Sequence, residues 1–409
     1  MSVIEFPQLI ERGCGLDVHK DTVVASIRGN DLAEETRTFC TFTSDLEDLT
    51  CWLQNQGVTH IAMESTGVYW KPVYNVLEEF FEIILVNARH IKNVPGHKTD
   101  KKDSEWIAKL LLSGLLKQSF VPDKPIRELR SLYRHRKKLI NQRSREKNRL
   151  QNVLEDANIK LASVISDIFS KTGQAIMEQL TKGNTNPEIL SELAKGSLIR
   201  KKPAIQKALH GRFSTHHQFM LGLIMDTIVS INGMIDRVEK QMERYLKHIK
   251  QEITLLQTIP GVSQQTALGI VAETGTDMSK FISYKHLASW AGVCPGNNES
   301  AGKKKSSRVT IGNAYLKTTL IEASWASTHT LNTYLAYKYA KLALRRGKKK
   351  EAMAIGHHIL VASYYIMRDK VPYQEPKLKK EILIERKKAE MERLEKRLQK
   401  LKISASQIS

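Results

Sequence analysis

Between Leu221 and Ile249, nine apolar residues recur at spacings that alternate between three and four: Leu221, Ile224, Ile228, Ile231, Ile235, Val238, Met242, Tyr245 and Ile249. That period belongs to one side of an α-helix wound at 3.5 residues per turn, and it excludes a strand. A ridge of this length must be covered by a second helix. The partner is either the helical segment 126–154 of the same chain or another subunit, and the seam predicts a coiled coil that contributes to dimerisation. Between these segments, Gly173, Gly183, Pro187, Gly196 and Pro203 predict short helices joined by turns.

Residues 11–120 follow a different pattern. Apolar, β-branched runs predict strands near 13–19, 22–29, 36–42, 58–63 and 82–87, and helical spacing predicts helices near 44–56, 69–80 and 101–116. Four acids fall where these elements end or begin. Asp17 lies in GCGLDVHKDTVVASI, and Glu64 closes the run THIAMES just before the breaker Gly67. Asp100 and Asp103 open KTDKKDSEWIAKLLLSGLL, and their separation of three puts both carboxylates on one helical face. Strand ends and a helix start are places where distant carboxylates can converge. Magnesium-type cations take oxygen ligands, few from protein and the rest from water and phosphate. Two such ions about 3.5–4 Å apart can stabilise both the attacking and the leaving oxygen of a phosphodiester. Most of the 43 acidic residues are ordinary surface, but an ordered set at element ends is a rarer coincidence. Asp17, Glu64, Asp100 and Asp103 are therefore expected to bind one or two Mg²⁺ ions, with Asp17 as the bridging ligand.

Lys and Arg total 64 against those 43 acids, a formal charge of +21. Such an excess implies a polyanionic partner, most simply nucleic acid, although a purely structural binder would share it. The imbalance is sharpest between Lys124 and Arg149, where eleven Lys or Arg residues meet only Glu128 and Glu146. Arg136, Lys137 and Lys138 are the candidates there for phosphate contact, the alternative being a solvated face. The four cysteines, Cys14, Cys40, Cys51 and Cys294, form no CxxC pair and no zinc-finger spacing, which fits a reducing cytosol. The start, MSVIEFPQLIERG, lacks the form of a signal peptide, and no apolar run approaches the roughly 20 residues of a membrane helix. A cytoplasmic chain with no membrane partner is expected.

Further along, LLQTIPGVSQQTALGIVAETG has the apolar-Pro-Gly-apolar turn of a helix-hairpin-helix, whose backbone amides can bind a phosphate. After it comes a polar, Gly-rich, basic segment, CPGNNESAGKKKSSRVTIGNAYLK. A serine there can meet a phosphodiester among cations that stabilise developing negative charge. Lys303, Lys304, Lys305 and Arg308 are the cations, and the residues alone do not separate Ser300 from Ser306 or Ser307. The stretch from Pro376 onward reads as an exposed, charged helix.

GLDVHKD, AMESTGVYW and GHKTDKKDSEWIAKLL resemble the amino-terminal RuvC-like domain of the IS110 family of bacterial insertion-sequence transposases. IPGVSQQTALGIVAETG, FISYKHLASWAGVCPGNNESAG and KKKSSRVTIGNAYLKTTLIEASWAS resemble the family's second conserved domain. The likeness runs from about Gly13 to about Met367. It implies an α/β plus all-α chain: a RuvC-like (RNase H fold) DEDD domain over 1–121, a helical coiled-coil region over 122–253, a mainly α transposase domain over 254–370, and a charged helical tail over 371–409. Three hairpin-type strands followed by αβαβα agree with the RNase H-like order. The resemblance also implies a serine recombinase guided by a bridge RNA and acting on double-stranded DNA at element ends and target. It makes Ser300, in NNESAG, the nucleophile. The carboxylate–metal site of one subunit and the serine of another would form a composite site, in a homodimer that becomes a tetramer at synapsis, in the bacterial nucleoid. Ala301 stands where the family usually has Gly, which leaves Ser306 as a fallback. Two other readings compete: a RuvC-like, metal-dependent, structure-selective nuclease in which Ser300 is incidental, and a non-catalytic nucleic-acid-binding protein.

Overall fold

Strand-forming runs near the amino terminus build one five-stranded sheet. In this computed structural model the described residues are 9–65, 67–87, 103–296, 298–300, 303–306, 309, 311–376, 387–388 and 390–397, with 298–300, 303–306 and 345–346 described by their backbone alone. The chain divides into two units, Met1–Val121 and Pro122–Ser409.

In the first unit the strands are β1 (Arg12–Val18), β2 (Thr22–Gly29), β3 (Glu35–Cys40), β4 (His60–Glu64) and β5 (Glu82–Val86), in spatial order β3-β2-β1-β4-β5. The β1–β2–β3 meander is antiparallel, whereas β4 and β5 run parallel to β1. Parallel neighbours need crossover connections. The helices α1 (Thr43–Asn55) and α2 (Trp70–Leu77) lie in the connections that lead to β4 and β5. Both pack on one face, where Leu49, Leu53, Val73 and Leu77 meet Cys14, Leu16, Ile61 and Met63. Alternation along the strands then turns Gly15 and Asp17 of β1, and Ala62 and Glu64 of β4, to the other face. That face is covered by α3 (Asp103–Leu112), through Ile107, Leu110 and Leu111 against Ala62 and Val86.

Gly15 decides how closely α3 lies on the sheet. A Cβ there would stand 2.1 Å from the Ser104 carbonyl oxygen and 2.4 Å from the Ala108 nitrogen, so the helix rests directly on the strand backbone. The first turn of α3 is tied down by the buried Ser104, whose Oγ is 2.8 Å from Ser26 Oγ on β2. Ser26 in turn lies 2.8 Å from Thr36 Oγ1 on β3.

The second unit begins with α4 (Lys124–Asp156), a 33-residue helix with Pro125 in its first turn, about 50 Å long. It packs along α5 (Thr215–Leu246), which Ser214 and His217 cap with reciprocal hydrogen bonds. Glu128 accepts a hydrogen bond from Tyr245, Arg136 pairs with Glu239, Arg143 donates to Asn232, and Asp156 meets His217. Residue numbers rise along one helix as they fall along the other, so the pair is antiparallel.

The apolar seam is therefore an intrachain one. Ile231 and Ile235 cluster with Leu139, while Leu221, Ile224 and Ile228 join Leu150 and Leu154. Of the two partners the pattern left open, α4 of the same chain is the one that covers the ridge, in place of the second subunit through which the seam was expected to contribute to dimerisation. The seam is also shorter than its sequence pattern, because α5 ends at Leu246 and Ile249 is buried beyond it. By length and composition α5 is apolar enough to cross a membrane. Its partner helix carries eleven cations, which a bilayer core would not accept. Short helices at 171–181, 187–191 and 202–209 fill the span between α4 and α5, as the Gly and Pro pattern predicted.

The helices α6 (Lys250–Leu256) and α7 (Gln264–Thr274) flank the Pro260–Gly261 turn. Gly261 has φ +85°, and a Cβ on it would stand 2.4 Å from the Ser327 nitrogen, so glycine is required there by backbone shape and by packing. There follow α8 (Tyr284–Ala291), a two-stranded ribbon of β6 (Asn298–Ser300) and β7 (Lys303–Ser306), and the helices α9 (Ala314–Thr328), α10 (Tyr334–Arg346) and α11 (Lys348–Asp369). In the tail, 371–376 are irregular and 387–388 and 390–397 helical.

Candidate active site

Asp17 is the penultimate residue of β1 and Glu64 the last residue of β4. The parallel register pairs Leu16 with Met63, so the two acids are the next residues along neighbouring strands, at the same edge of the sheet. Asp103 opens α3 on the face to which both acids turn. The structure thus brings together three of the four expected metal ligands, while Asp100 lies outside the described residues.

The electrostatics reflect this grouping. Burial pushes the Asp17 carboxyl above its ordinary range; His19 opposes the rise, and the negative charges of Asp103 and Glu64 add to it. His19 Nε2 stands 3.2 Å from Asp17 Oδ2. Sequence reasoning passed over His19, although its place two residues after Asp17 would have put both side chains on one strand face. Among the described residues no three His, Cys, Asp or Glu side chains close into a ready-made metal cage. A magnesium-type ion does not need one, since it keeps several waters and takes only one or two carboxylates. Hard oxygen donors fit such an ion, and its charge would relieve the repulsion that Asp17 meets from Asp103 and Glu64. On binding, the ion would polarise phosphate oxygens, with Asp17, Glu64 and Asp103 as its holders.

In the second unit, β6 and β7 pair antiparallel, with Ser300 opposite Lys303 and an irregularity at Asn298/Glu299. Lys304, Lys305 and Ser306 complete β7, Pro295 bridges to Val309, and Arg308 and Ser307 lie outside the described residues. The segment is therefore a β-hairpin, where the sequence indicated only a polar loop.

Most of the basic run along α4 is internally engaged. Arg130 donates to the carbonyls of Ala272 and Glu273, and Arg134 holds the Glu273 carboxylate. Arg136 pairs with Glu239, Lys137 with Glu322, and Arg149 with Glu146, while Lys147 sits over the Phe169 ring. Of the three candidates for phosphate contact, Lys138 alone points freely outward; Arg145 is exposed on the same helix. Arg136 and Lys137 line a cleft of about 290 Å³ with Ser263, Gln265 and Thr266 at the start of α7. Ser263 already accepts a hydrogen bond from the Thr266 amide there, as the helix N-cap.

A mixed sheet with acids gathered at one edge, followed by a helical unit with a basic hairpin, is the outline of a nucleic-acid-processing enzyme. Residues 14–159 match a family model described as a DEDD transposase of the IS110 group, and residues 253–340 match one described as "Transposase IS116/IS110/IS902 family". The chain is also similar to the pilin gene-inverting proteins of Moraxella bovis and Moraxella lacunata, each 24% identical over 380 residues that cover 88% of this chain and 96% of the relative. The chain belongs to the IS110 family of transposases, and so to the enzymes of DNA transposition and recombination.

Proposed function

We propose that this protein cleaves and rejoins double-stranded DNA through a covalent serine intermediate, with Ser300 as nucleophile and Asp17, Glu64, Asp103 and Asp100 holding Mg²⁺. The observation that carries the reading is the gathering of Asp17, Glu64 and Asp103 at one sheet edge in a chain of a transposase family. The relatives named for inverting a pilin gene support a reaction that rejoins what it cuts.

In this reaction the Ser300 oxygen attacks a backbone phosphorus and the bond to one deoxyribose oxygen breaks. The phosphoserine link keeps the phosphodiester energy for rejoining. The serine proton needs an acceptor, since a hydroxyl is a weak nucleophile at neutral pH. Glu299 is the carboxylate beside Ser300 in β6; it or the carboxylate–metal site of a partner subunit would take the serine proton, and a proton is returned to the departing deoxyribose oxygen. Lys303, Lys304, Lys305 and Arg308 would offset charge on the phosphate. Lys138 would contact the DNA or RNA backbone, as would Arg136 and Lys137 on exchanging their ion pairs for phosphate. A bridge RNA would select donor and target in the bacterial cytoplasm, and the working form would be a dimer that becomes a tetramer at synapsis.

The test is to trap the protein–DNA adduct and locate it by mass spectrometry. Ser300→Ala should lose the adduct entirely, and EDTA should suppress it in the wild type. Adduct mapped to Ser306 or Ser307 would overturn the assignment, and adduct that forms normally in EDTA would overturn the metal's part. Metal-dependent cleavage without any adduct would leave a RuvC-like nuclease.

A further inference from the structure

The base of the serine hairpin is held by a buried polar cluster that none of its own residues explains. Glu273, near the end of α7, has no exposed surface. Arg134 grips its carboxylate with two hydrogen bonds of 2.7 Å, in the fork geometry that fixes direction as well as distance. One turn earlier on α4, Arg130 donates to the Ala272 and Glu273 carbonyls at 3.0 and 2.6 Å, satisfying orphan acceptors at the end of α7. The fourth member is Asn313. Its Nδ2 donates to Glu273 Oε2 at 2.6 Å, and its Oδ1 accepts from the Leu316 amide at 3.1 Å as the N-cap of α9.

Asn313 is where the hairpin's outgoing leg enters α9, and its backbone nitrogen donates to the Trp290 carbonyl at 3.3 Å. The incoming leg leaves α8 through Gly292, in the left-handed conformation. The two legs touch at their base: a Cβ on Gly312 would stand 2.3 Å from the Gly292 nitrogen. Arg134 also stacks over the Tyr315 ring at 4.8 Å, just past the cap. Apolar packing of similar volume would serve stability as well as a buried ion pair does. What the pair adds is a single permitted geometry.

We propose that Asn313, Glu273 and Arg134 are positioning residues, a clamp that fixes the base of the β6–β7 hairpin, and so the place of Ser300, against α4 and α7. The clamp deepens the proposed serine chemistry and rests on it for its catalytic consequence. Its mechanical consequence stands apart from that chemistry.

Two variants separate the clamp from simple folding. Asn313→Ser and Asn313→Asp both keep an N-cap for α9 but lose the amide N–H₂ that reaches Glu273, the serine hydroxyl being shorter and its oxygen engaged as the cap, and the second also sets a like charge beside Glu273. The full-length protein is given a duplex carrying its own element ends and the RNA transcribed from the element's flank. The single-turnover rate of adduct formation is read together with the half-saturating DNA concentration, the melting temperature, and hydrogen exchange over 292–313. Adduct formation in Asn313→Ser should slow about tenfold, the scale of one lost hydrogen bond to a charged group, and further in Asn313→Asp. Exchange in the hairpin should quicken more than exchange in the rest of the second unit, half-saturation should stay at the wild-type value, and melting should fall slightly in Asn313→Ser and further in Asn313→Asp. Unchanged hairpin exchange in both variants overturns the clamp, and so does exchange that quickens evenly across the second unit together with lost DNA affinity. Should the wild type form no adduct at Ser300, the serine reading falls, and the exchange measurement still decides the clamp.

Discussion

Two carboxylate environments divide this molecule. At the sheet edge, Asp17 is half-buried beside Asp103 and Glu64, and their mutual repulsion adds to burial in raising its proton affinity. In the helical unit Glu273 is fully buried, yet two guanidinium groups and an amide surround it. The first group sets like charges near one another, and such a place can receive a cation from solution. The second is held by the chain's own donors, and it acts as framework. Like charges at a site and paired charges in a scaffold use the same residue types, so composition cannot tell them apart.

The largest expected difference is in activity. Asp17→Ala or Glu64→Ala should cut strand cleavage on the order of a hundredfold or more, in line with the loss of a metal's charge stabilisation. DNA binding should persist, as gel-shift titration would show. Near wild-type cleavage in either variant would remove the sheet edge from the chemistry. Glu273→Ala should act on stability, costing about 2–3 kcal/mol in denaturant melts, because it leaves Arg130 and the partly exposed Arg134 without their carboxylate, the exposure of Arg134 cutting the cost of a fully buried pair. A cost below about 1 kcal/mol would mean that water reaches the cluster and that it fixes nothing.

The seam sharpens the contrast from the packing side. Ile228→Asp with Ile235→Asp should loosen the α4–α5 pair itself, visible as lost helical circular dichroism at a lower temperature, with the first unit still folded. Intact helical melting with a smaller particle in analytical ultracentrifugation would return the seam to a subunit interface.

Much of the first unit was legible in sequence. Strand and helix periods matched the observed elements within a few residues, and the breaker Gly67 followed the end of β4 at Glu64. The seam was legible as a helix but not in its partner, because an a/d pattern is the same within one chain as between two. The basic run misled more. Its counter-charges, Glu239, Glu273 and Glu322, lie 103 to 185 residues away from the cations they pair with, and no local pattern announces them. Nor do any residues outside the family resemblance distinguish Ser300 from its neighbouring serines.

A smaller effect concerns pH. The folded-state pKa of Asp17 is raised, so the folded protein holds that proton more tightly than the unfolded chain does. Stability from this group is full below the ordinary carboxylate range and is lost as pH rises through the raised value. Asp17→Asn should therefore raise the metal-free melting temperature slightly at neutral pH and flatten its dependence on mild acidification.

Thermal unfolding with and without Mg²⁺ tests most directly whether the sheet edge is built to receive a cation. Millimolar Mg²⁺ should raise the melting temperature of the wild type, because an ion that binds only the folded state stabilises it by mass action. It should leave Asp17→Asn unmoved, so that metal reverses the order of the two proteins. Equal shifts in both, or none in the wild type, would contradict the assignment of Asp17, Glu64 and Asp103 as a metal site.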